Sequence, residues 1–143
     1  MAVKAMGWAH SFPVSAGVRA GRAWTRRRLE PLPWAASDPD TVDSIVLAVS
    51  ELVTNAHLHA HSDAHLVLTW DGDCLHVSVH DDDPTLPRHR EPEPGEVSGR
   101  GVSIVRKLAD DVQMKCQRHG KTVMACFRPE PPETGDGAGA RTV

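Results

Sequence analysis

No apolar run in this chain approaches the roughly 18 residues that a membrane-spanning helix needs. The first residues, with Lys4, Trp8 and His10 close together, hold no long apolar stretch of signal-peptide type. A cytoplasmic protein is expected. There is no Cys-x-x-Cys pair, and the 3 cysteines, Cys74, Cys116 and Cys126, are odd in number and widely spaced in apolar, strand-like segments. That pattern indicates neither a disulfide framework nor a cysteine-built structural zinc site and reads as buried thiols. A basic excess is also missing. The net charge is −3 and the pI about 6.3, so a protein that works by gripping nucleic-acid phosphates is not expected. The local run Arg26-Arg27-Arg28 reads as a solvated helix end.

The 143 residues suit one domain with one core. Met6 to Phe12 can form a first strand, and Pro13 with Ser15 offers a stop and a helix cap for a first helix reaching about Leu29. Gly17 and Gly21 lower the propensity of that helix, so packing must hold it. Pro31, Pro33 and Pro39 break the chain into a connector. From Asp40, a possible cap, the residues Val42, Ile45, Val46, Val49, Leu52, Val53 and Ala56 recur at spacings of three and four. This predicts an amphipathic helix that frays near Ala60 to Asp63.

Two alternating runs, Leu66-x-Leu68-x-Trp70 and Leu75-x-Val77-x-Val79, flank Asp71-Gly72-Asp73 and predict a hairpin. After Asp81-Asp82-Asp83, the segment from Pro84 to Ser98 carries 4 prolines and mixed charge, a loop rather than a core element. Gly99-Arg100-Gly101 opens a short helix with apolar residues Val102, Ile104, Val105, Leu108 and Ala109. Val112-x-Met114-x-Cys116 and Val123-x-Ala125-x-Phe127, joined through His119-Gly120, predict a second hairpin, and 129–143 reads as a disordered tail.

The chemistry sits on Glu51-Leu-Val-Thr-Asn55. A carboxylate and a carboxamide at i and i+4 share one helical face, where they can hold a hydrated metal ion beside a nucleophile. Backbone N–H groups of a Gly-x-Gly at a helix start suit phosphate. Taken alone, the Glu and Asn could be an ordinary exposed face, and the glycines a flexible loop end. The ordered set resembles the histidine-kinase-like ATPase family, of gyrase, Hsp90, histidine kinase and MutL type, and most closely its anti-sigma-factor serine kinase branch. Glu51-Leu-Val-Thr-Asn-Ala56 with His59-Ala60 and Gly99-Arg-Gly-Val102 carry the likeness, which spans about residues 8–128.

The resemblance implies an α/β two-layer sandwich, a mixed sheet with helices on one face, that binds ATP and Mg²⁺. It implies Asn55 as the metal ligand, through an oxygen that suits a hard cation, and Glu51 as general base toward a serine hydroxyl or water. Asp81 would accept from the adenine amino group, Thr122 would support the base, and Gly99, Arg100 and Gly101 would lie at the phosphates. Asp83 stands where the family's Asp-x-Gly-x-Gly motif has glycine, bringing a charge near the triphosphate. The implied partners are an anti-sigma factor antagonist, a sigma factor or both, with a homodimer as a further possibility. Rival readings are a non-catalytic nucleotide-dependent binding module and a simple ATPase. His57, His59, His61 and His65 offer a weaker rival, a zinc site, although no His-Glu-x-x-His is present.

Overall fold

The computed structural model describes residues 6–83 and 100–130. Strand β1 (Met6–Phe12), a 3-10 turn (Val14–Ala16) and helices α1 (Val18–Leu29) and α2 (Pro39–Leu58) come first. Strands β2 (Ala64–Trp70) and β3 (Leu75–Asp81), helix α3 (Arg100–Leu108), and strands β4 (Asp111–Gln117) and β5 (Gly120–Phe127) follow. The strands lie side by side as β1-β2-β3-β5-β4. The expected two-layer α/β sandwich is present, but the sheet is antiparallel at every described pairing rather than mixed. Two helices separate β1 from β2, and one helix with one strand separates β3 from β5. Each neighbour therefore returns in the opposite sense.

Strand alternation builds the core. Leu75, Val77, Val79 and Asp81 of β3 and Lys121, Val123, Ala125 and Phe127 of β5 are buried, while the residues between them are half-buried. Ile45, Ala48, Val49, Leu52, Val53 and Ala56 of α2 join the same cluster as Leu66, Leu68 and Val77. Each large aliphatic side chain so buried contributes about 1.5–3 kcal/mol. Helix α2 packs against both α1 and α3. The weak propensity of α1 is offset there by buried Gly21, Thr25 and Leu29, and Thr25 Oγ1 donates to the Gly21 carbonyl at 2.8 Å. No described helix is long and apolar enough to cross a membrane.

Both helix starts differ from expectation. Ser15 falls in the 3-10 turn and Gly17, at φ +76°, precedes α1 with no side-chain cap. Helix α2 is capped by Asp38, not Asp40: its Oδ1 accepts from Thr41 N at 3.2 Å and its Oδ2 from Thr41 Oγ1 at 2.6 Å. Pro39 then occupies the first helical position, where its missing N–H has no intrahelical partner to lose. Asp38→Ala is expected to cost about 1–2 kcal/mol in urea denaturation.

The cysteines divide. Burial first, then the neighbouring Cys126 thiol and Asp73 carboxylate, push the buried Cys74 thiol up to about 12, so it stays protonated and unreactive at neutral pH. Cys116, expected to be buried, is exposed, because β4 is an edge strand with few covered positions. The Arg run is as expected at Arg26 and Arg27, which are exposed, whereas Arg28 is half-buried with its guanidinium 5.6 Å from the Trp24 ring centre. The expected loop at 84–98 and most of the expected tail, 131–143, lie outside the described residues.

Candidate functional site

The exit of α2 is tied to one end of the sheet. His57 Nε2 donates to the Phe12 carbonyl at 2.8 Å, and Ser62 N donates to the Ala56 carbonyl at 3.1 Å. Ser62 Oγ in turn accepts from Asp82 N at 3.0 Å, so the last turns of α2 and the end of β3 share that end. Glu51 and Asn55 lie on these turns, half-buried beside Leu52, Val53 and Ala56. Neither side chain makes a hydrogen bond or ion pair among the described residues. A half-buried carboxylate and carboxamide left without partners are available to a ligand. Their oxygens fit a hydrated, hard divalent cation.

Asp81, at the end of β3, is 5% exposed. It is already engaged. Lys121 Nζ lies 3.0 Å from its Oδ2 and 3.1 Å from its Oδ1, and Asp83 N donates to Oδ1 at 2.9 Å. The same ammonium donates to the Asp83 carbonyl at 3.3 Å. Asp81 and Lys121 stand directly opposite each other in the β3–β5 register.

Thr122 is not brought to this group. Its neighbours in the strand, Lys121 and Val123, face the helices, and its hydroxyl lies 2.9 Å from His80 Nδ1 on the other face of the sheet. Lys121, not Thr122, stands beside Asp81. The signal was present in the alternation: Val123, Ala125 and Phe127 are the apolar set, so position 121 shares their face and 122 cannot.

Helix α3 begins at Arg100, with Gly101 in its first turn; Gly99 and the Arg100 side chain lie outside the described residues. Val105 anchors α3 in the core. Asp110 N donates to the Cys126 carbonyl at 2.8 Å, at the end of β5 remote from Lys121. Helix α3 itself, at 9 residues, is about 13 Å long.

The histidines do not assemble a zinc site. His57 bonds the Phe12 carbonyl, His61 leaves the helix at φ +50°, and His65 Nδ1 lies 2.7 Å from Ser11 Oγ. Among the described residues, the one cluster with metal-ligating atoms within 4.8 Å of one another is Asp71, Cys74 and His76. There the Asp71 carboxylate caps the hairpin turn, accepting from Asp73 N at 2.9 Å and Cys74 N at 2.7 Å, and meets His76 Nε2 at 2.9 Å.

A family model described as histidine kinase-like ATPase domain matches residues 17–127. Among solved structures, the crystal structure of the RsbU and RsbW domains of Rv1364c from Mycobacterium tuberculosis is similar, with a TM-score of 0.66 and 20% identity. The match covers 89% of this chain and 33% of that one, so the chain spans about a third of the length of that protein. At that identity the likeness is one of fold. No curated protein sequence matches the chain significantly.

Proposed function

The chain belongs to the histidine kinase-like ATPase domain family, and from that premise we propose that its domain, about residues 8–128, is an ATP-binding regulator of the anti-sigma-factor kinase type. It phosphorylates a serine of an antagonist protein, sequesters a sigma factor, or does both. The observation that carries this reading is the pair Glu51 and Asn55, half-buried and without partners on the turns of α2 that share the sheet end with Asp81. On this reading Asn55 holds Mg²⁺, which when bound neutralises phosphate charge. Glu51 takes the proton from the attacking hydroxyl onto a carboxylate oxygen. Asp81 meets the base, and Gly99, Arg100 and Gly101 meet the phosphates, the glycines through backbone N–H groups. Asp83 and its carbonyl position the Lys121 ammonium.

Incubation of the folded protein with Mg-ATP and candidate antagonist proteins tests the proposal. Phosphoserine in the antagonist is the expected product, and its absence across antagonists that demonstrably bind the chain would sink the kinase reading. A second reading is favoured by the Asp81–Lys121 pair and by Asp83: a nucleotide-dependent binding module without phosphotransfer. A third, a simple ATPase, is distinguished by phosphate release with no protein acceptor.

A further inference from the structure

Asp81 has little left to offer a ligand. Its Oδ1 accepts from Asp83 N at 2.9 Å and from Lys121 Nζ at 3.1 Å, which fills both lone pairs of that oxygen. Its Oδ2 has one open position and lies 3.0 Å from the same ammonium. Both side chains are nearly out of water, at 10% exposure for the lysine and 7% for the aspartate. The contact is built into the sheet. A Cβ on Gly120 would stand 2.0 Å from the Asp81 carbonyl, and its φ of +152° suits glycine, so this residue lets β5 begin flush against the end of β3. That approach sets Lys121 directly opposite Asp81.

Resting on the nucleotide reading above, we infer that Lys121 is a specificity-determining residue of this site, a resident cation on the acceptor that a base amino group would use. An exocyclic amino group is a neutral donor, and an ammonium makes the stronger bond to a carboxylate. Adenine must therefore displace or share Lys121, whereas the 6-oxo group of guanine can accept from it. The unsubstituted protein should discriminate weakly between ATP and GTP. Binding that requires the pair to open is weakened by the fraction of time it is open, and a buried pair open less than roughly a tenth of the time lowers apparent affinity at least tenfold.

Calorimetric titration of the full chain with Mg-ATP and Mg-GTP tests this in the unsubstituted protein, Lys121→Thr and Lys121→Gln. Both variants should bind ATP about tenfold or more tighter, with a widened preference for ATP over GTP. Lys121→Gln keeps a neutral donor to Asp81 and decides the matter if Lys121→Thr fails to show a cooperative melt. Unchanged or weaker ATP binding in the folded variants, with binding in the unsubstituted protein, overturns the role of Lys121 and leaves the nucleotide site standing. Equal tightening of ATP and GTP overturns it too, because that reports relief of a general obstruction. If none of the three proteins binds either nucleotide, the nucleotide site itself fails.

Discussion

Glu51→Gln is expected to lower phosphate transfer to an antagonist serine by about 10²–10⁴-fold, the usual contribution of a positioned general base. The substitution keeps the size and hydrogen-bonding reach of the side chain and removes only its ability to hold the proton. Glu51 has no partner among the described residues, so stability should stay within about 0.5 kcal/mol. ATP affinity should hold too, because a group that acts in the transition state contributes little to ground-state binding. Phosphoserine formation by mass spectrometry, set beside calorimetric ATP affinity, separates the two effects. A transfer rate unchanged in a folded, ATP-binding Glu51→Gln protein would remove Glu51 from the chemistry. Loss of regulation in the same variant, with ATP affinity intact, would count against the binding-module reading.

The helix that carries Glu51 was legible because its apolar spacing repeats over four turns, and the i,i+4 placement of Glu51 and Asn55 follows from that period alone. Both hairpins were legible for the same kind of reason, alternation across short turns. The helix starts were not. Asp38 and Asp40 are equally good cap residues, and Pro39 reads as a breaker unless the helix is known to begin there. Strand direction in the sheet depended on how many traverses separate neighbours in space, which no local pattern encodes. Of the candidate residues that the motifs name, Glu51, Asn55 and Asp81 lie about one end of the sheet, while the motif match at Thr122 overrode the parity of β5. That parity places Lys121, not Thr122, on the helix-facing side. A charged residue in step with Val123, Ala125 and Phe127 implies a buried partner, and Asp81 is the cross-strand residue that supplies it.

The Asp81–Lys121 pair should also govern stability. Removing one member leaves the other charged and buried, so Asp81→Leu or Lys121→Met alone is expected to cost about 3–5 kcal/mol. A domain of ordinary stability has about 5–15 kcal/mol to lose, so either single substitution takes a large share of it. The double variant Asp81→Leu/Lys121→Met should recover most of that loss, because two apolar groups of similar size need no partner and avoid the desolvation of two charges. Urea denaturation of the four proteins at neutral pH gives the coupling directly. A double variant whose loss equals the sum of the single losses would show that the pair is not energetically linked. If the coupling is found, the same contact has two opposed effects. It holds the ends of β3 and β5 together, and it keeps the one buried carboxylate of the proposed base site occupied. Variants that bind nucleotide more tightly through loss of Lys121 should then be the less stable ones in the absence of ligand, and nucleotide should raise their melting temperature more than it raises that of the unsubstituted protein.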